Sequence, residues 1–174
     1  PLRDLGWSEE QRARLRGFQF LSLKPVLVVL NIGEEALGEA AALPEGLAGF
    51  RVLRLCAKVE REIAELPAAE QQEFLSHMGL ERPAREVFLR AAYELLDLLS
   101  FFTVGEDEVR AWTVRAGSSA LVAAGKIHTD IQRGFIRAET IRWEELLRLG
   151  SLAAAKAQGV LRLEGKEYRV CDGD

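Results

Sequence analysis

A short uninterrupted apolar segment, Pro25-Val-Leu-Val-Val-Leu30, constrains the fold of this 174-residue chain more than any other feature. The segment is aliphatic, rich in β-branched residues and too short for a helix. It therefore predicts a strand buried on both faces, as in a parallel sheet covered by helices. Asn31-Ile32-Gly33 ends it as a turn, and a short helix over 34–42 is expected next. A second strand over 50–55 follows the Pro44-Glu-Gly46 break, so a βαβ crossover is predicted.

The remaining pattern predicts helices around this unit and a change of architecture near residue 101. Ser8 and Gln11 form a capping-box pattern that begins a helix running to about Leu21. Two more helices are predicted over 67–78 and 83–99, the second a packed interior helix. Beyond them we expect a small mixed sheet with one main helix across it, a β-grasp-like arrangement. Its predicted strands are 101–104, 109–115, 135–141 and 161–170, the last a hairpin or a strand interrupted around Gly165. Its predicted helices are 119–132, 143–149 and 152–158.

The end of the sequence, Asp172-Gly173-Asp174, is typical of a turn that leads into another strand. The small domain is therefore expected to be cut short at its C-terminus, or to continue in residues outside this sequence.

Composition excludes several classes of protein. Hydrophobic residues make up 48% and charged residues 29%, a globular rather than a disordered balance. The net charge of −4 lacks the basic signature of a dedicated nucleic-acid binder. The two cysteines, Cys56 and Cys171, are too few for a disulfide framework or a zinc cluster, and isolated thiols are typical of a cytosolic protein. No apolar stretch is long enough to span a bilayer.

Polar residues follow both predicted strands of the first unit, where an open α/β sheet binds ligands. Asn31 and Glu34 come after the first strand, and Ala57 and Lys58 come after the second. An asparagine can tie two loops together or meet the edge of a base. From the residues alone, simpler interpretations lead: Asn31 is a turn residue, Lys58 a solvated residue at a helix start, and Cys56 a small buried hydrophobe.

Longer ordered blocks resemble a known family, the YchF or Obg-like ATPases, which are P-loop NTPases of the TRAFAC class. The resemblance covers nearly the whole chain from the Ser8 helix onward, and it implies the C-terminal half of such a protein. The blocks that carry it are Lys24-Pro25-Val-Leu-Val-Val-Leu-Asn31-x-x-Glu34, Leu55-Cys56-Ala57-Lys58-Val59-Glu60, Phe102-Thr103-Val104-Gly105, Glu108-Val-Arg-Ala-Trp112-Thr113, Ala123-Ala-Gly-Lys-Ile-His128-Thr129-Asp130 and Arg133-Gly134-Phe135-Ile136-Arg137-Ala138-Glu139.

The resemblance implies a domain plan and a fold class. Residues 1–22 are expected to end a helical insertion, and residues 23–100 to form the C-terminal part of a nucleotide-binding G domain with its linker helix. Residues 101–174 are expected to form a ubiquitin-like β-grasp TGS domain. The implied fold is α/β, a partial P-loop NTPase domain followed by the TGS domain.

The resemblance also implies a purine site. Asn31, Ile32 and Glu34 would frame the base, with Cys56, Ala57 and Lys58 closing the opposite side. The motif departs from the common Asn-Lys-x-Asp, because Glu34 is one methylene longer than aspartate and Ile32 replaces lysine. Poor alignment weakens hydrogen bonds steeply, so a relaxed guanine preference and use of ATP or GTP are implied.

The phosphate end of such a site is missing from this sequence. There is no Gly-x-x-x-x-Gly-Lys-Ser/Thr and no Asp-x-x-Gly, so no catalytic residue and no ligand for the expected Mg²⁺ is assigned. The chain by itself is expected not to hydrolyse nucleotide.

The TGS resemblance implies a monomeric, cytoplasmic protein that contacts the ribosome or RNA through His128, Arg133 and Arg137. For each residue taken alone a simpler interpretation leads: His128 caps a helix or packs, and the arginines are solubilising surface. His77 is expected to be ordinary surface. An alternative function is a stand-alone β-grasp module that binds RNA or protein without a nucleotide. A small enzyme using Cys56 or His128 ranks last, because neither has a partner constellation.

Overall fold

The structure is a computed structural model that describes residues 1–38, 42–105 and 107–174, without the side chain of residue 9. The chain divides into two compact units, Pro1–Leu96 and Asp97–Asp174. Within the described residues, none of the helices is long and apolar enough to cross a membrane.

The first unit is built on a parallel pair of strands, as predicted. Strands β1 (Leu27–Asn31) and β2 (Arg51–Leu55) pair in parallel, with Asn31 opposite Leu55 at their carboxyl ends. The helices of this unit are α1 (Glu9–Leu15), α2 (Ala57–Glu65), α3 (Ala68–His77) and α4 (Ala84–Leu95).

Helices α2 and α3 hold the core of the first unit. Cys56, Val59, Ile63 and Leu75 form one buried cluster, in which Val59 is only 1% exposed. The spacing of Val59 and Ile63 puts both side chains on the same face of α2. Because α2 starts directly after β2, this cluster fixes the residues that follow the strand.

Three predictions for the first unit are wrong, two in the length of a helix and one in the burial of a strand. The helix capped by Ser8 ends at Leu15 and not near Leu21, because single turns of 3₁₀ helix follow and Gln19 takes a left-handed φ of 53°. Strand β1 is not buried on both faces, since Val29 is 41% exposed. The helix expected over 34–42 is a single 3₁₀ turn at Glu34–Ala36, and residues 39–41 of that range lie outside the described residues.

The helix predicted over 83–99 is also shorter and more exposed than expected. It ends at Leu95, and Asp97 then adopts a left-handed φ of 54° before the next strand begins. Of its residues, Ala91 is buried, whereas Val87, Phe88 and Tyr93 are each more than a third exposed. In this unit α4 is therefore a surface helix rather than an interior one.

The second unit consists of paired strands and short helices. Strand β3 (Leu98–Val104) pairs antiparallel with β4 (Val109–Arg115), and β5 (Arg137–Thr140) pairs antiparallel with β6 (Arg162–Gly165). The helices are α5 (Ala120–Ile127), α6 (Thr129–Gly134), α7 (Trp143–Leu149) and α8 (Leu152–Ala157). The core comprises Leu99, Phe101, Val114, Ala123 and Val170.

The single helix predicted over 119–132 is two helices. His128 has an extended backbone, with φ −163° and ψ 146°, and its Nδ1 accepts a hydrogen bond from the Asp130 amide at 3.2 Å. His128 therefore ends α5 and caps α6. The strand predicted over 161–170 is interrupted at Gly165, as expected: β6 ends there, and an isolated bridge then joins Arg169 to Ser119. The fold as described is mixed α/β, and the β-grasp assignment stays a prediction.

The last residues are anchored to β3 and to their own loop. The Gly173 amide donates to the Ser100 carbonyl, and the Phe102 amide donates to the Asp174 carbonyl, each at 2.8 Å. The Asp174 side chain is only 4% exposed. Its carboxylate accepts from the Tyr168 hydroxyl at 2.7 Å, the Cys171 amide at 2.8 Å and the Arg162 guanidinium at 3.0 Å.

Candidate functional site

The loops that follow β1 and β2 are joined by a side chain. Asn31 Oδ1 accepts a hydrogen bond from the Ala57 amide at 3.0 Å, across 26 residues of sequence. The Ile32 amide also donates to the Leu55 carbonyl at 2.9 Å. The carboxyl ends of the two strands therefore form one continuous polar rim, which is where an open α/β sheet binds ligands.

An ion pair links the same two loops a few residues farther along. Lys58 Nζ lies 2.8 Å from Glu34 Oε2, and Glu62 Oε1 lies 4.0 Å from the same ammonium. The hydrogen bond to Glu34 raises the pKa of Lys58, and the charges of both carboxylates act in the same direction. Glu62 is not among the predicted site residues, although its i,i+4 spacing from Lys58 on α2 is the signal for such a pair.

The other residues predicted to face a base differ in what they can offer. The Cys56 side chain lies in the α2–α3 core and is 4% exposed, so only its backbone could line a site. Ile32 is half-buried and Ala57 is exposed, and Ala57 uses its amide to hold Asn31. The structure thus brings Asn31, Glu34, Ala57 and Lys58 together. The Cys56 side chain instead packs in the core beneath the start of α2.

The residues predicted to contact RNA fall into two places. Asp130 lies between His128 and Arg133, with Oδ2 3.5 Å from His128 Nδ1 and Oδ1 3.6 Å from Arg133 Nη1. All three side chains are well exposed. Arg137 lies on β5 and lines an apolar groove of about 450 Å³ together with Phe101 and Ile141. Arg137 thus lies on a different element from His128 and Arg133, and Asp130 offsets part of the positive charge of Arg133.

A metal site is not formed by the residues the structure describes. Across 1–38, 42–105 and 107–174, no group of three or more histidine, cysteine, aspartate or glutamate side chains could hold an ion. Cys56 and Cys171 are both free thiols.

Comparison with known families and proteins finds one group of relatives for this chain. Residues 98–174 match the family model YchF-GTPase_C, which is described as a protein of unknown function. The chain is 44% identical over 182 residues to the ribosome-binding ATPase YchF of Bacillus subtilis, covering all of this chain and 50% of the relative. It is 34% identical to Obg-like ATPase 1 of Caenorhabditis elegans, covering all of this chain and 46% of that relative.

Solved structures agree with the sequence matches. The structure of the Schizosaccharomyces pombe YchF GTPase matches all of this chain with a TM-score of 0.84 at 28% identity, and the match covers 48% of that chain. A GTP-binding protein from Pyrococcus horikoshii OT3 shares the fold with a TM-score of 0.56, covering 97% of this chain and 49% of its own. This chain therefore spans about half the length of the proteins it matches.

Proposed function

This chain belongs to the YchF and Obg-like ATPase family and corresponds to its C-terminal half, and from that premise we propose that it supplies the base-recognition half of a purine-nucleotide site. The relatives named as ATPases and GTPases are about twice as long as this chain. ATP or GTP hydrolysis with Mg²⁺ is accordingly proposed for a protein that joins this half to a phosphate-binding half. For the chain alone we propose binding without turnover.

The observation that carries this proposal is the hydrogen bond from the Ala57 amide to Asn31 Oδ1. With the oxygen occupied, the amide nitrogen of Asn31 is the group left to meet a ligand, and it is a pure donor. Such a donor matches N7, an acceptor that adenine and guanine share. Asn31 would thus recognise a purine without choosing between the two bases.

A binding measurement on this chain tests the base site directly. We expect AMP and GMP to shift the amide NMR signals of the Asn31 and Ala57 loops with dissociation constants in the millimolar range, because base contacts alone supply about 4 kcal/mol. Asn31→Ala should weaken AMP binding by about tenfold, since it removes both the donor and the link between the loops.

The matched control is Gln72→Ala, which removes an exposed amide side chain from α3, away from the two loops. It should leave the AMP affinity unchanged. Shifts spread over the whole surface, or equal affinities for the wild type and Asn31→Ala, would contradict a base site at these loops.

We also propose that residues 101–174 act as a TGS domain that contacts the ribosome, which would place the protein in the cytoplasm as a monomer. Support comes from the family match over 98–174 and from the name ribosome-binding ATPase carried by the bacterial relatives. His128 and Arg133 form the proposed contact, with Arg137 as an additional cation on β5.

Charge reversal tests the ribosome proposal. The double variant Arg133→Glu and Arg137→Glu should lower co-sedimentation of this chain with ribosomes about tenfold at low salt, because phosphate contacts are largely electrostatic. Arg148→Glu, at an exposed arginine on α7 of the same unit, should co-sediment like the wild type. Equal sedimentation of all three proteins would exclude this surface as the contact.

A further inference from the structure

We propose that Lys58 is a positioning residue that sets base preference by holding Glu34, so that the site loses its advantage for guanine. The inference rests on the proposed base site and goes beyond it, because it assigns the choice of base to an ion pair rather than to the length of Glu34. The carrying observation is the 2.8 Å contact between Lys58 Nζ and Glu34 Oε2.

Hydrogen-bond capacity explains why this contact matters. Guanine presents two neighbouring donors, N1–H and N2–H, which suit the two oxygens of a free carboxylate. Adenine presents one amino group beside an acceptor, and so it needs only one carboxylate oxygen. Lys58 takes up one lone pair of Oε2 and fixes the orientation of the Glu34 carboxylate. The aligned contact of both oxygens that favours guanine is thereby weakened, while Oε1 stays open.

The surroundings make Lys58 the group that holds this arrangement. Its ammonium contacts Glu34, on the loop after β1, and Glu62, on α2, so it offsets negative charge from both elements. Lys58 is the second residue of α2, and the buried Val59 next to it fixes that helix to the core. Asn31 is held by Ala57, the residue before Lys58. The first turn of α2 therefore both holds the donor that meets either purine and supplies the cation that restrains Glu34.

Any test must distinguish the effect of the aliphatic part of Lys58 from the effect of its charge. Lys58→Met keeps an unbranched apolar stem but removes the ammonium, whereas Lys58→Arg keeps a cation. We expect Lys58→Met to lower the ratio of the GMP to the AMP dissociation constant about tenfold, as one added hydrogen bond to a charged acceptor would. Lys58→Arg should retain the wild-type ratio.

Two further variants identify the carboxylate as the cause. Adding Glu34→Gln to Lys58→Met should abolish the gain in GMP affinity, because the amide cannot accept both guanine donors. Arg61→Met removes another exposed cation from α2, one that faces Glu65 at 3.9 Å, and it should leave the ratio unchanged. The ¹³C signal of the Glu34 carboxyl should shift more on GMP binding in Lys58→Met than in the wild type.

The outcomes separate the two proposals. Wild-type chain that binds neither AMP nor GMP overturns the base site and this inference together. Wild-type chain that binds AMP, with the same GMP to AMP ratio in Lys58→Met, overturns the inference alone. A ratio that falls equally in Lys58→Met and Arg61→Met would show a general effect of charge and would also overturn it.

Discussion

Replacing Asp174 by alanine is expected to lower the free energy of unfolding of residues 97–174 by about 2–3 kcal/mol, since it leaves polar partners unsatisfied. The Asp174 carboxylate accepts hydrogen bonds from Tyr168, Cys171 and Arg162, and its own side chain is almost fully buried. Burial and the hydrogen bond to Asp174 raise the pKa of Tyr168, so its hydroxyl stays a donor at neutral pH. Hydrogen exchange at the Val114 amide, in the core of this unit, measures the loss.

Two further variants control this result. Glu167→Ala removes an exposed carboxylate from the same loop and should change stability by less than about 0.5 kcal/mol. Asp174→Asn keeps the shape and loses the charge, so its cost should be intermediate. Equal exchange rates in Asp174→Ala and Glu167→Ala would mean that this network does not anchor the end of the chain.

Placing a charge at Val59 should have the largest effect in the first unit. Val59 is 1% exposed between Cys56, Ile63 and Leu75, so the carboxylate in Val59→Asp would be buried without a partner. The expected loss is about 4 kcal/mol or more, enough to unfold α2 and α3 in much of the population. Helical circular dichroism and the NMR signals of residues 56–80 report that loss.

The control carries the same new charge at an exposed position of the same helix. Ala64→Asp, one turn after Glu60, should cost about 1 kcal/mol or less, because only helix propensity and the helix dipole oppose it. AMP binding should disappear in Val59→Asp and persist in Ala64→Asp. A folded Val59→Asp protein with normal AMP affinity would mean that the α2–α3 cluster does not support the loops.

Local sequence pattern was sufficient to predict an element when the residues of that element alone determine where it begins and ends. Strand Val109–Arg115 and helix Trp143–Leu149 were predicted with the ends that the structure has. The parallel pairing of β1 and β2 was also predicted, because an apolar run that ends in a polar turn has few other places in an α/β layer.

Where local sequence pattern predicted the wrong secondary structure, contacts outside that pattern determined the observed one. Leu98 and Leu99 continue the apolar stripe of α4 and were predicted as helix, but pairing of Leu99 with Val114 makes them strand. At His128 the surrounding residues favour helix, and the ring-to-amide hydrogen bond that ends α5 is not visible in helical periodicity. Tertiary pairing overrides local propensity in both cases.

The predictions for the candidate site also divide into those that strand order was sufficient to make and those that it was not. The meeting of the Asn31 and Ala57 loops was predicted from strand order, because parallel strands place their carboxyl ends at one edge of the sheet. The contact between Lys58 and Glu34 was not predicted, since 24 residues separate them and the rotamers of both side chains decide it. Cys56 was predicted both as a site residue and as a buried hydrophobe, and its side chain is buried.

The helix that starts at Ala57 couples ligand binding to the stability of the core. Its first residues contact the loop after β1, and the residues that follow pack in the buried α2–α3 cluster. A ligand at the proposed base site, where the Ala57 amide holds Asn31, would bind only while α2 is folded against α3. Occupancy must therefore slow amide exchange in α3, at Leu75 as well as in the loops. At ten times the dissociation constant, linkage predicts about 1.4 kcal/mol of added protection. Conversely, a partner or condition that unfolds α3 would release the base from the proposed site, although it makes no contact with the site itself.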